Sequence, residues 1–142
     1  NVATPRYPSD DPRIKPFFDG VPAINALAER TPGFVWRLSD PDEEAKAADV
    51  FGEPGLIIAL SVWQDMASLR EFVYRSDHLS YLRQRTQWFQ PRMRANKALW
   101  WIDAGVRPSI LEARHRLDYL TQHGASDIAF GFNDAFQKEV TT

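Results

Sequence analysis

The chain has 142 residues, 44% hydrophobic and 25% charged, with a formal net charge of −2. That length makes one domain, residues 1–142, with enough apolar side chains to build a core, and the charge balance sets up no global field that would draw in nucleic acid or an anionic membrane. Cysteine is absent, which excludes disulfides, thiolate metal sites and cysteine nucleophiles and fits the reducing cytoplasm where the protein is expected.

The chain opens on Asn1 with no signal-like segment, so the expectation is a trimmed N-terminus and an incompletely represented first strand. Asn1 to Pro8 reads as extended, with Pro5 and Pro8 confining any strand to an edge. Ser9-Asp10-Asp11-Pro12 reads as a helix start. Ile14, Phe17, Phe18, Val21, Ile24 and Leu27 then recur at helical spacing through Arg30, with a kink or two helical pieces expected at Gly20 and Pro22. Thr31-Pro32-Gly33 ends that helix in a turn. Residues 34–39 read as a strand with Phe34, Trp36 and Leu38 on one face and Val35, Arg37 and Ser39 on the other.

Asp40 to Pro54 is acidic and rich in Pro and Gly, the composition of a mobile surface loop. Residues 56–63 are the clearest strand. Leu56, Ile58, Leu60 and Val62 make one aliphatic face, while Ile57, Ala59, Ser61 and Trp63 make a face of smaller residues ending in an indole. Two apolar faces predict a central strand, and the small residues leave room either for a ligand or for another sheet. The connection from residues 34–39 predicts an antiparallel hairpin. Asp65 is placed to cap a helix carrying Leu69, Phe72 and Val73.

A second helix is expected from an Asp77 N-cap to Phe89, stopped by Pro91. On its wheel Leu79, Leu82, Thr86 and Phe89 fall together toward a core, and His78, Tyr81, Arg85 and Trp88 form a polar and aromatic stripe beside them. Residues 98–102 predict a third strand, on which Trp100 and Trp101 point to opposite faces. Ser109 and Glu112 form a capping box for a helix that buries Ile110, Ala113, Leu117 and Leu120 and stops near Gly124. Residues 129–132 are either a short strand or a loop packing its rings. No apolar run reaches the roughly 18 residues that would span a membrane. The interleaved elements predict an α+β fold, a mostly antiparallel sheet with helices over one face.

The chemistry narrows by elimination. His78, His115 and His123 are scattered at spacings that suit no metal, His115 lies off the apolar stripe of its helix, and His123 sits beside the helix stop. There is no Gly-x-Ser-x-Gly elbow and no phosphate loop. Acidic residues gather between Asp40 and Asp49 and basic ones at Arg83, Arg85, Arg92, Arg94 and Lys97, which reads as two solvated surfaces facing each other across a subunit contact. The basic segment with Trp88 lacks any recognition motif for nucleic acid.

What remains is an apolar pocket with a few polar groups. His78 is the candidate general base or acid, with Arg75 or Arg85 to hold an oxyanion or carboxylate and Tyr81 or Tyr74 to donate to a carbonyl. Trp36, Trp63, Tyr74, Arg85, Trp88 and Trp101 are the candidate substrate-binding residues, five rings and a guanidinium to wall and hold a flat hydrophobic or aromatic substrate. The plainer alternative makes His78 and Tyr81 edge-of-core residues, Arg85 a solvated charge and at least two of the tryptophans core. Haem held by His78 is a second alternative, and a non-catalytic ligand-binding dimer a third. No metal and no organic cofactor is expected under the enzyme reading.

Several segments taken together carry a resemblance: residues 11–13, 25–28 and 32–38, Ser61-Val62-Trp63, residues 72–76 with His78, Trp88-Phe89, residues 99–101, Gly105 and Arg107-Pro108. In that order they resemble a bacterial family of unknown function in the dimeric α/β-barrel superfamily, the ferredoxin-like group that includes antibiotic-biosynthesis monooxygenases. The resemblance implies a homodimer whose two sheets pack into a shared barrel. It also implies relatives that act on aromatic polyketides without a cofactor, bind or degrade haem, or isomerise small rings. None of those relatives' catalytic residues transfers, because their motifs differ from the ones present here.

Overall fold

A computed structural model describes residues 1–75 and 83–133, with the side chain of Arg75 excepted. Its strands are β1 (Val2–Ala3), β2 (Phe34–Arg37), β3 (Ile57–Ile58) and β4 (Ser61–Trp63). Its helices are α1 (Lys15–Arg30), α2 (Pro41–Glu44), α3 (Ala47–Phe51), α4 (Met66–Arg75), α5 (Arg85–Trp88) and α6 (Ile110–His123). The class is mixed α+β with small antiparallel sheets, as the interleaved sequence pattern predicts.

The strands form two antiparallel pairs, β1 with β3 and β2 with β4. Residues 56–63 are therefore two short strands rather than one, but the gap between them keeps the pairing on both sides. The Ala59 amide donates to Asn1 O at 2.8 Å, and the Leu38 amide donates to Leu60 O at 2.9 Å. The segment lies between β1 and β2, the central position its two apolar faces predict.

Packing sorts the two faces. Residues directly opposite each other in an antiparallel pair project to the same face. Val2 pairs with Ile58, and both join a cluster with Leu56, just before β3, Ala47 and Phe51 of α3, and Ile110 and Leu117 of α6. Ala3 pairs with Ile57, and both pack against Ile14, Trp88 and Phe89 with Phe17 and Phe18 of α1. Helices thus cover both faces, not one as expected. The reason is α3, which the acidic composition of residues 40–54 conceals. That stretch is no mobile loop, because Asp40 caps α2 through the Asp42 amide at 2.9 Å and Ala47 and Phe51 are buried in the core.

Other boundaries move for local reasons. Ser9 to Arg13 forms turns, and α1 starts at Lys15 with Pro16 in its first turn, then runs unbroken through Pro22 to Arg30. Asp65 caps α4 as expected, accepting from the Ser68 amide at 2.7 Å. Residues 77–82 of the expected Asp77–Phe89 helix, including Leu79 and Leu82, lie outside the described residues. Within them α5 ends at Trp88, Phe89 is extended and bridges Pro5, and Thr86 is exposed rather than facing the core. Residues 98–102 form no strand, and only Leu99 bridges, to Phe130. Ser109 caps α6 through the Glu112 amide at 3.1 Å, while the Glu112 carboxylate turns to Arg116. Ile110, Ala113 and Leu117 are buried as expected, Leu120 only partly. Gly124 ends the helix at φ +74°.

Arg92 belongs to the basic segment but is not a solvated charge. Its side chain is 11% exposed and forks onto Glu53, with Nη2 to Oε2 at 2.8 Å and Nε to Oε1 at 3.3 Å, while Nη1 donates to Ala95 O. The fork holds the Glu53 carboxyl below its usual range. A folded-state pKa below the unfolded value contributes stability above the unfolded pKa of about 4.3, and that stability is lost as pH falls through the lower folded value. Glu53→Gln is accordingly expected to lower stability by about 1–2 kcal/mol at pH 6.5, allowing for the carboxylate's partial exposure. In urea titrations the gap between parent and variant should close as pH drops below about 4. A gap that stays constant from pH 6.5 to 3 would show that the ion pair is not its source.

Candidate functional site

The candidate site begins with the face of the central segment that carries Ile57, Ala59, Ser61 and Trp63. In the second sheet Phe34 pairs with Trp63, Trp36 with Val62 and Arg37 with Ser61, with a bulge between Phe34 and Trp36. Val62 and Trp63 point to opposite faces, so Phe34 and Trp36 do as well. The alternation expected for residues 34–39 is broken by that bulge. Trp36 lies on the α3/α6 side, with the Arg107 guanidinium 5.8 Å from its ring centroid. Trp63 lies on the side of α1, α4 and α5, edge-on to Phe34 at 5.4 Å and stacked on Phe72 of α4 at 5.3 Å and 22°. The two indoles cannot wall one pocket.

Between Ile57, packed against the α1/α5 cluster, and Trp63, packed against α4, this face carries only Ala59 and Ser61, and both are exposed. A two-residue repeat of strand is about 7 Å long, close to the width of one aromatic ring. Trp63 Nε1 donates to Ser61 Oγ at 2.9 Å, which occupies an acceptor position of the hydroxyl and leaves its own hydrogen able to donate over the ledge.

Besides Arg37, which pairs opposite Ser61 and is engaged by Glu29 at 2.8 Å, two cations lie toward the β1 end of this ledge. Trp88 packs against Ile57 and Ala3 in the cluster on this face, and Arg85, three residues earlier on α5, shares Trp88's side of the helix. Lys97, Arg85 and Arg92 all bear electrostatically on the Asn1 nitrogen, which lies 3.0 Å from Ala59 O. Arg92 is engaged by Glu53. Arg85 and Lys97 are half-buried. Burial lowers the pKa of both, and the neighbouring Arg85 charge lowers that of Lys97 further. Among the described residues no carboxylate pairs with either. Lys97 Nζ lies 5.9 Å from the Phe132 ring centroid, Tyr74 meets that ring edge-on at 5.5 Å, and Arg70 Nη2 donates to Phe132 O at 2.6 Å.

Of the residues expected to form the site, Trp63 and Arg85 lie on this side of the fold, and Tyr74 is exposed on α4 with its ring against Phe132. Trp88 is 3% exposed and belongs to the core with Ile14 and Phe17. Trp101 is half-buried. His78 and Tyr81 lie outside the described residues, in the segment that joins α4 to α5, and Arg75 ends α4 with its side chain outside them too. His115 is exposed, and His123 packs against Tyr119 at 4.3 Å in the last turn of α6. Sequence reasoning did not single out Phe72, Phe132 or Lys97. For Lys97 the only signal was membership of the basic segment, and half-burial sets it apart from that segment's exposed Arg83 and Arg94.

Elsewhere the described surface carries open grooves. One of about 320 Å³ runs along Ala67, Arg70, Glu71 and Tyr74 on the outer side of α4, and one of about 270 Å³ lies at Arg94, Asp118, Thr121 and Gln122. Among the described residues no group of three or more His, Asp or Glu gathers as a metal site, and no helix is long and apolar enough to cross a membrane. No curated protein and no solved structure matches the chain. A family model described as "Domain of unknown function (DUF3291)" matches residues 1–142, and the chain belongs to that family.

Proposed function

We propose that the protein is a small-molecule enzyme acting on an aromatic or polycyclic metabolite without metal or organic cofactor. The observation that carries the reading is the ledge of Ala59 and Ser61, open between the Trp63–Phe72 stack and the α1/α5 cluster. A flat ring fits such a floor, and the Ser61 hydroxyl gives it one orienting donor. The segment that carries His78 and Tyr81 joins the two helices flanking this face. In the proposed step the His78 imidazole takes a proton from an acidic O–H or C–H of the substrate and becomes imidazolium. The electron pair stays on the substrate as a phenolate or enolate, which Arg75 and Arg85 stabilise and to which Tyr81 donates a hydrogen bond. That anion then isomerises, cyclises or reacts with dioxygen, as a cofactor-free monooxygenase would require.

A ferredoxin-like arrangement belongs to the same proposal. Its support is the spatial order β2, the β3–β4 segment, β1, and then residues 88–96, which bond to the outer side of β1 through Arg6 N to Trp88 O and Val2 N to Asn96 O, both at 2.8 Å. A homodimer belongs to the proposal too, and its contact would cover exposed apolar side chains such as Val35, Val106 and Leu111. Because α3 and α6 cover the other face of the sheet, the contact would not use a bare sheet-to-sheet barrel.

The test is turnover of a panel of anthrones and naphthols, followed by product formation and oxygen uptake. His78→Ala is expected to lower the rate at least about 100-fold, the usual contribution of a general base, while His115→Ala, exposed on α6, leaves it unchanged. Equal rates in parent and His78→Ala would remove the base. A Soret band on titration with haem, abolished by His78→Ala, would replace this reading with haem binding.

A further inference from the structure

We propose that the molecule bound on the Ala59–Ser61 ledge carries a carboxylate, and that Arg85 and Lys97 hold it. The inference rests on the enzyme reading for where the ring sits, and it goes beyond that reading in naming the substrate class and in assigning Lys97.

A cation withdrawn from water loses hydration and regains it only from an anion or from acceptors placed around it. Arg92 shows how this chain meets that need, with both Glu53 oxygens and the Ala95 carbonyl on one guanidinium. Arg85 and Lys97, at the same end of the β1–β3 pair, have no such carboxylate among the described residues, and the Arg85 charge disfavours that of Lys97. Two like charges half-removed from water next to an open ledge are stabilised by an anion that sits between them.

The shape of the site narrows the class further. Aromatic surface borders it at Trp63 and Phe72 on one side and at Phe132 beside Lys97. A guanidinium offers a planar fork suited to two carboxylate oxygens, and an ammonium adds a point charge. An aromatic ring about 7 Å wide on the ledge, with a carboxylate directed toward α5, uses both halves of the site.

The experiment uses the full chain and three probes of one shape: 2-naphthoate, uncharged 2-naphthamide and 2-naphthyl phosphate, each titrated by calorimetry at low salt. The carboxylate is expected to bind at least about 10-fold more tightly than the amide. Lys97→Gln and Arg85→Gln should each weaken the carboxylate about 10-fold and leave the amide unchanged. A second readout needs no ligand. Without a probe Lys97→Gln should melt at or above the parent temperature, because it removes one of two mutually repelling cations, and it should lose the upward shift that naphthoate gives the parent. Equal binding of carboxylate and amide, or a drop in the unliganded melting temperature of Lys97→Gln with naphthoate binding unchanged, overturns the assignment. Tighter binding of the phosphate than of the carboxylate overturns the class. If the panel shows no turnover but naphthoate binding follows this pattern, the anion site stands and the enzyme reading falls. Turnover of neutral naphthols that Lys97→Gln leaves untouched does the reverse.

Discussion

Trp88→Ala is expected to destabilise the protein by about 3–5 kcal/mol, the usual cost of deleting a buried large aromatic side chain. Trp88 is 3% exposed, its ring lies 5.5 Å from that of Phe17, and it packs with Ile14 and Phe89 against one face of the β1–β3 pair. Removing it empties the centre of a cluster that α1, α5 and the β1–β3 pair share, and so loosens all three together. For a domain of this size roughly 3 °C is lost per kcal/mol, so the melting temperature should fall by about 9–15 °C. Trp63→Ala makes the informative contrast. Trp63 is only half-buried, so its loss should cost less stability and act instead on binding at the ledge. If Trp88→Ala keeps stability within about 1 kcal/mol of the parent and loses ligand binding, Trp88 belongs to the pocket and not to the core.

Gly33→Ala is expected to cost about 2–4 kcal/mol for two separable reasons. Gly33 sits at φ +94°, where an L side chain costs about 1–2 kcal/mol. A Cβ there would also fall 2.0 Å from Ser68 Oγ and 2.4 Å from Ser68 Cβ, so α4 itself would have to move. The position is pinned from the other side as well, since the Gln64 amide donates to Gly33 O at 2.7 Å. α4 carries Phe72, which stacks on Trp63, so the strain reaches the candidate site. A double-mutant cycle separates the two reasons. Ser68→Gly alone should cost about 1 kcal/mol as a glycine inside a helix. In the double variant Gly33→Ala should cost only its backbone share, a coupling of about 1–2 kcal/mol. Strict additivity would show that the contact with α4 is not what makes alanine costly at this position.

Much of the local structure was legible because local chemistry decides it. Asp65 and Ser109 cap their helices where a short acceptor precedes an apolar repeat, Gly124 stops α6, and Ile110, Ala113 and Leu117 turn inward as their spacing requires. The central position of residues 56–63 was legible from its two apolar faces. Legibility failed where a distant partner outweighs composition. Residues 40–54 look like a solvated acidic loop, yet Ala47 and Phe51 are drawn into the core by Val2 and Leu56 on the sheet and by Ile110 and Leu117 of α6. Residues 98–102 have strand composition but only Leu99 finds a partner, and a strand without one keeps none of its ladder bonds.

The candidate site shows the same division. That residues 57–63 alternate an aliphatic face with one of smaller residues ending in an indole, and that the chain holds no cysteine and only scattered histidines, were determined by the sequence alone. Tertiary structure decided which indole borders that face, because one bulged residue in β2 turns Trp36 away from Trp63. It also decided that Trp88 is core, since only the approach of α1 surrounds it. Lys97 stands with Arg85 because a backbone bond from Val2 to Asn96 carries the basic segment alongside β1. Periodicity reports what a residue's own element presents. Which surface meets it is set by chain pairing across tens of residues, and that information is spread over both partners.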